Sequence, residues 1–155
     1  SSILLTGTAG TGKTIISANF AQAAGQRGER VLFFSFEESP NQIMRNVHSI
    51  GLRLEPLVKR GLLRFHSARP TLCGLEMHLA TMFKEIAAFR PAVVIVDPIT
   101  SLLAAGTDYE TKGMVMRLVA GVQVKVCLRG ADRVAAEQVA QLVEQLRGEW
   151  VKGHG

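Results

Sequence analysis

Eight consecutive residues, Gly7-Thr8-Ala9-Gly10-Thr11-Gly12-Lys13-Thr14, fit the pattern G-x-x-x-x-G-K-[ST]. The apolar run Ile3-Leu4-Leu5-Thr6 precedes them, as a buried strand would. Ile15 to Arg27 follows, with a composition that suits a helix. That strand–loop–helix context gives the pattern physical content as a phosphate loop. Its glycines let the backbone curl so that N–H groups face a bound oxyanion. The following helix points its positive end at the same anion. Lys13 is placed to reach the β- and γ-phosphates, and the Thr14 hydroxyl to sit on Mg2+. Thr8, Ala9, Gly10, Thr11, Gly12, Lys13, Thr14 and Ile15 are the expected nucleotide contacts.

Two further groups carry acids. Val93-Val94-Ile95-Val96 is a continuous apolar run that ends on Asp97. A carboxylate there can hold Mg2+ opposite Thr14; it can equally be a capping Asp before Pro98. Glu37 and Glu38 follow the β-rich run Val31 to Phe36. In a parallel sheet ligands sit beyond the carboxyl ends of the strands, so both acids share an edge with Thr6 and Asp97. Adjacent carboxylates at that edge can orient a water for attack on a γ-phosphate, or they can be two solvated acids. Thr100 and Ser101 either contact nucleotide or cap the segment after Asp97. The histidines form no metal spacing: His48 and His78 fall on helices, His66 ends a strand and His154 lies in the tail.

The elements needed to position these groups alternate between strand and helix, which predicts an α/β three-layer sandwich with a mainly parallel sheet of about five strands. After the first helix, Gly28 takes a left-handed cap. Ser39-Pro40-Asn41-Gln42 is a helix start, with Ser as N-cap and Pro at the first position. That helix presents Ile43, Val47 and Ile50 and stops at Gly51. A short helix over Leu54 to Arg60 closes at Gly61, and Leu62 to His66 is a third strand. Leu75, Leu79, Met82, Phe83 and Ile86 recur at helical spacing, in a helix that ends before Pro91. Ala104 to Asp108 reads as a loop, Tyr109 to Ala120 as a helix, Val122 to Leu128 as a fifth strand and Asp132 to Arg147 as a last helix. Val151 to Gly155 reads as a loose tail.

The bulk numbers fit one domain of 155 residues, 47% hydrophobic and 20% charged, with no apolar run long enough to cross a membrane. The net charge is +5, but Arg and Lys are scattered and Trp150 and Tyr109 are isolated. Both facts argue against a nucleic-acid partner. The chain opens on a core strand without an initiator Met or signal peptide, which reads as part of a longer polypeptide. Cys73 and Cys127 read as reduced thiols, and the expected location is cytoplasmic.

The phosphate loop, the run Phe34-Ser35-Phe36-Glu37-Glu38-Ser39-Pro40 and the run Ala92 to Pro98 together resemble the KaiC branch of the RecA-like ATPases, over roughly Ser1 to Val119. The resemblance implies ATP and Mg2+ as ligands. It implies the Walker A role for Lys13 and Thr14, the Walker B role for Asp97, and water activation by Glu37 and Glu38. It further implies hexameric rings with ATP between subunits and, in some members, autophosphorylation. The part beyond, over 120–150, departs from the pattern. Val122-Gln123-Val124-Lys125-Val126-Cys127-Leu128 alternates, which suits an edge strand, whereas the family's strand here lies between the two Walker strands. A chain fused near Ala120, engineered or recombined, is one explanation; a natural, divergent, truncated homologue is the other. The expected function is a Mg-ATP-binding domain with weak or absent hydrolysis, because the family's segments that reach a neighbour's ATP lie outside this sequence. A non-catalytic scaffold that keeps its phosphate loop and a subunit of a hexameric ATPase are the alternatives, and a monomer is plausible. No base-reading motif separates ATP from GTP.

Overall fold

A computed structural model describes residues 2–5, 12–107, 109–110, 113–114, 117–118 and 125–129 of the chain. The order of elements is β1 (Ser2–Leu5), α1 (Lys13–Gln26), β2 (Val31–Ser35), α2 (Pro40–His48), α3 (Glu55–Lys59), β3 (Leu63–Ser67), α4 (Leu75–Phe89), β4 (Val93–Asp97) and β5 (Lys125–Arg129). Two 3₁₀ segments, Pro70–Leu72 and Ile99–Ala105, flank α4 and β4. The five strands form one sheet in the order β1-β5-β4-β2-β3, and every neighbouring pair is parallel.

Alternation along the central strands explains the layers. Successive side chains of a strand point to opposite faces. On one face Leu32, Phe34, Val94 and Val96 pack with Leu75, Leu79 and Met82 of α4. On the other, Val31, Phe33, Val93 and Ile95 pack with Ala18, Ala21 and Ala24 of α1, Ile43 and Val47 of α2, and Leu57 of α3. All positions of β2 and β4 are buried, which is why both read as unbroken apolar runs. The expected α/β/α sandwich with a parallel sheet is what the chain forms.

Helix ends follow the local chemistry. Ser39 caps α2: its Oγ accepts from the Gln42 N–H at 3.3 Å, and Pro40 occupies the first turn. Gly28, Gly51 and Gly61 all take positive φ after the helices they close. At the far end of α4, Arg90 takes φ 50, and its carbonyl accepts from Arg30 Nε at 3.2 Å and Nη2 at 3.0 Å. Arg64 lies over the Phe89 ring at 4.4 Å, which closes that corner with a cation–π contact.

Two expectations need correction. Ala104 and Ala105 do not lie in a loop; they end the 3₁₀ segment Ile99–Ala105. A 3₁₀ turn repeats every three residues, so Ile99 and Leu102 share a face, and both are fully buried. The second concerns β5, which is not an edge strand. It pairs with β1 through Ile3↔Cys127 and Leu4↔Leu128, and with β4 through Val94↔Val126 and Val96↔Leu128. Alternation reports how the two faces of a strand differ. It carries no information about hydrogen-bonded neighbours on either side, and those decide edge or centre. Tyr109, Glu110, Gly113, Met114, Arg117 and Leu118 are helical, as expected for their segment. The expected helix over Asp132 to Arg147 and the tail Val151 to Gly155 lie outside the described residues.

Candidate nucleotide site

Gly12 stands at the start of α1 with φ 77, a conformation that glycine enters without strain. The glycine is therefore required by the backbone itself: among the described residues, a Cβ there meets only Ile15 Cδ1, at 3.8 Å. Lys13 opens α1 and is 4% exposed, while Thr14 is half-buried and Ile15 points outward at 37% exposure. Thr8, Ala9, Gly10 and Thr11 lie outside the described residues. Ser17, one turn after Lys13, is fully buried, and its Oγ has no hydrogen-bond partner among the described residues.

Parallel pairing brings the acids to one edge. Ser35, last in β2, is in register with Asp97, last in β4. The ladder runs one step further, where the Phe36 N–H donates to the Asp97 carbonyl at 3.0 Å. Asp97 is 3% exposed. The Asp97–Pro98 peptide is cis.

Beyond Phe36 the chain bends through Glu37 and Glu38 into the Ser39 cap. The bend is pinned from inside: Ser35 Oγ donates to the Glu38 carbonyl. The two glutamates differ in exposure although both line one cleft. Glu37 is exposed, and its Oε1 accepts from Ser101 Oγ at 2.6 Å. Glu38 turns inward, toward a small cleft lined by Ser35, Glu37, Glu38, Ile43 and Asp97. Glu38 Oε2 is buried there with no hydrogen-bond partner among the described residues. Unsatisfied buried acceptors are rare and costly, so an oxygen of this kind marks a place for a water or ion.

Of the residues singled out in the sequence, Glu37, Glu38 and Asp97 thus share one cleft. Lys13 and Thr14 start the helix that follows β1, at the same C-terminal edge of the sheet. Ser101 reaches Glu37 across 64 positions of sequence. Ser35 was the residue overlooked; a small hydroxyl closing a strand just before two acids was the available signal. His78 is structural. It is 4% exposed, edge-on to Phe36, and its Nε2 lies 2.8 Å from the Pro70 carbonyl. A carbonyl can only accept, so Nε2 carries the proton.

Comparison with known proteins decides the family. A family model described as the KaiC ATPase matches residues 1–128. The chain belongs to the KaiC ATPase family. It is 50% identical over 119 residues to the circadian clock protein KaiC2 of Synechocystis sp., a match covering 77% of this chain and 21% of that protein. It is 46% identical over 100 residues to the circadian clock oscillator protein KaiC of Thermostichus vulcanus, covering 64% and 19% respectively. The KaiC of Synechococcus elongatus is 39% identical over 100 residues, again 64% and 19%. The chain spans about a fifth of the length of these curated relatives. As a KaiC-family domain it is a P-loop nucleotide-binding unit. The family match passes Ala120 and takes in most of β5, the segment whose alternation had suggested a junction.

Among the described residues no helix is long and apolar enough to cross a membrane.

Proposed function

We propose that this KaiC-family domain binds Mg-ATP at the C-terminal edge of its sheet and, as this chain, hydrolyses it slowly. The observation that carries the reading is the convergence of Glu37, Glu38 and Asp97 on one cleft at that edge. The donor set fits the ligands. Lys13 is a cation for phosphate oxygens, and Thr14 and Asp97 are hard oxygen donors of the kind Mg2+ takes. The ion, when bound, neutralises charge on the phosphates. Lys13 fixes the phosphate chain, and Glu38 and Glu37 hold and orient a water and accept its proton. Fast turnover also needs a cation delivered to the transition state, often an arginine from a neighbouring copy. A ring subunit is accordingly the assembly in which this domain would work fastest, and light scattering with and without nucleotide tests for it.

Isothermal titration of Mg-ATP into the chain, with Lys13→Ala as control, tests the proposal. Micromolar binding that is lost in Lys13→Ala is the expected result. Phosphate release should then fall in Glu37→Gln and Glu38→Gln with binding retained. No binding in either protein overturns the reading and leaves a scaffold that keeps only the loop's shape.

A further inference from the structure

The fold joins the acidic bend to the segment after Asp97 through one hydroxyl. Ser101 sits in the 3₁₀ segment Ile99–Ala105, anchored by the fully buried Ile99 and Leu102. Its Oγ donates to Glu37 Oε1 at 2.6 Å, a short bond of the kind a carboxylate acceptor makes. Glu37 is exposed, and holding a long side chain in one rotamer costs conformational entropy that such a bond offsets. Its backbone is already held by the Ser35–Glu38 bond behind it and the Ser39 cap ahead of it. The Ser101 bond acts on the Glu37 side chain itself, at the carboxylate.

We propose that Ser101 is a positioning residue for hydrolysis, fixing the Glu37 carboxylate by hydrogen bond while Glu38 faces the cleft with Asp97. This rests on the function proposed above. Ser101 touches neither nucleotide nor metal in this scheme and acts only through Glu37. Because its segment directly follows β4, the same contact ties the acids of the bend to the strand that carries Asp97. Aligned reaction needs such fixing, since small misplacements of a catalytic group cost large factors in rate.

The test is single-turnover phosphate release from Mg-ATP, alongside titration of Mg-ATP affinity. Ser101→Ala is expected to slow release roughly tenfold with affinity unchanged, the scale of one charge-assisted hydrogen bond. Ser101→Thr, which keeps the hydroxyl, is expected to restore most of the rate. In a Glu37→Ala background, Ser101→Ala is expected to add nothing, because the partner is already gone. A wild-type rate in Ser101→Ala, an unchanged further loss in Glu37→Ala, or a Thr variant no better than Ala overturns the proposal.

Failure of the parent function reads differently. If the unaltered chain releases phosphate no faster than Lys13→Ala, the hydrolytic reading falls, and this role for Ser101 with it. The 13C carboxylate resonance of Glu37 then still shows whether the contact exists. A shift in Ser101→Ala but not in Ser101→Thr supports the contact, and an unmoved resonance in folded protein removes it.

Discussion

Lys13 and Asp97 are charged side chains held almost out of water, 4% and 3% exposed. Such burial costs several kcal/mol per ion unless opposite charge and hydrogen bonds offset it. A protein retains it most readily where a ligand uses the charge. Asp97→Asn is therefore expected to trade function against stability. Mg2+ should no longer strengthen ATP binding, while the thermal midpoint holds or rises. Titration of ATP with and without Mg2+, next to a melting curve, checks both halves. A variant that melts early but keeps its Mg2+ response would assign Asp97 to structure. Lys13, Asp97 and the two glutamates were singled out as candidates from residue type and spacing. The greater exposure of Glu37 and the burial of Glu38 Oε2 were not legible, because adjacent acids in a bend have no periodicity from which to read direction.

Elements hold these residues through close packing and caps. Gly25 lies in the last turns of α1, where an added Cβ meets Leu57 Cδ1 at 2.6 Å and Cδ2 at 2.8 Å. Alanine favours helix by about 1 kcal/mol over glycine, but overpacking costs about 1–3 kcal/mol. Gly25→Ala should thus destabilise by about 1 kcal/mol in urea titration. Adding Leu57→Ala makes room, and in that background Gly25→Ala should become stabilising.

The start of α4 carries a pH-dependent contact. The Arg117 guanidinium bonds both oxygens of Glu76, at 2.5 and 3.3 Å, and with its charge holds that carboxyl below its ordinary 4.5. A lowered folded value stabilises above the unfolded value and is lost as pH falls through the folded one. Urea midpoints taken from neutral pH to below 4.5 should fall less steeply in Glu76→Gln. Because both side chains are largely exposed, salt should erase most of the difference. An identical slope in both proteins would show that the pair contributes nothing.

At the scale of the molecule, the sheet order sets the site. β5 between β1 and β4 separates the strand before the phosphate loop from the strand that ends on Asp97. That insertion fixes how far the start of α1 stands from the acids. A central β5 also makes a prediction about Lys125, which is in register with Val93 of β4. Lysine is disfavoured in strands, and a strand paired on both sides has less access to water. Lys125→Val is expected to stabilise by about 1 kcal/mol in urea titration. No change would mean that the side chain escapes to solvent at the strand's first position.

The sequence by itself determined the α/β class and the helix caps, and it nominated the candidate site residues, because these rest on local chemistry. Glycine, proline and serine act on their own backbone, and apolar period distinguishes a strand from a helix. Only the tertiary structure decided which strands are neighbours, and with it the meeting of Ser35 with Asp97 and of Ser101 with Glu37. Strand neighbours are chosen by backbone hydrogen bonds between segments far apart in the chain, and every backbone carries the same donors and acceptors. Alternation along Val122 to Leu128 could report its faces, but the place of β5 in the sheet was left for the packed layers to settle.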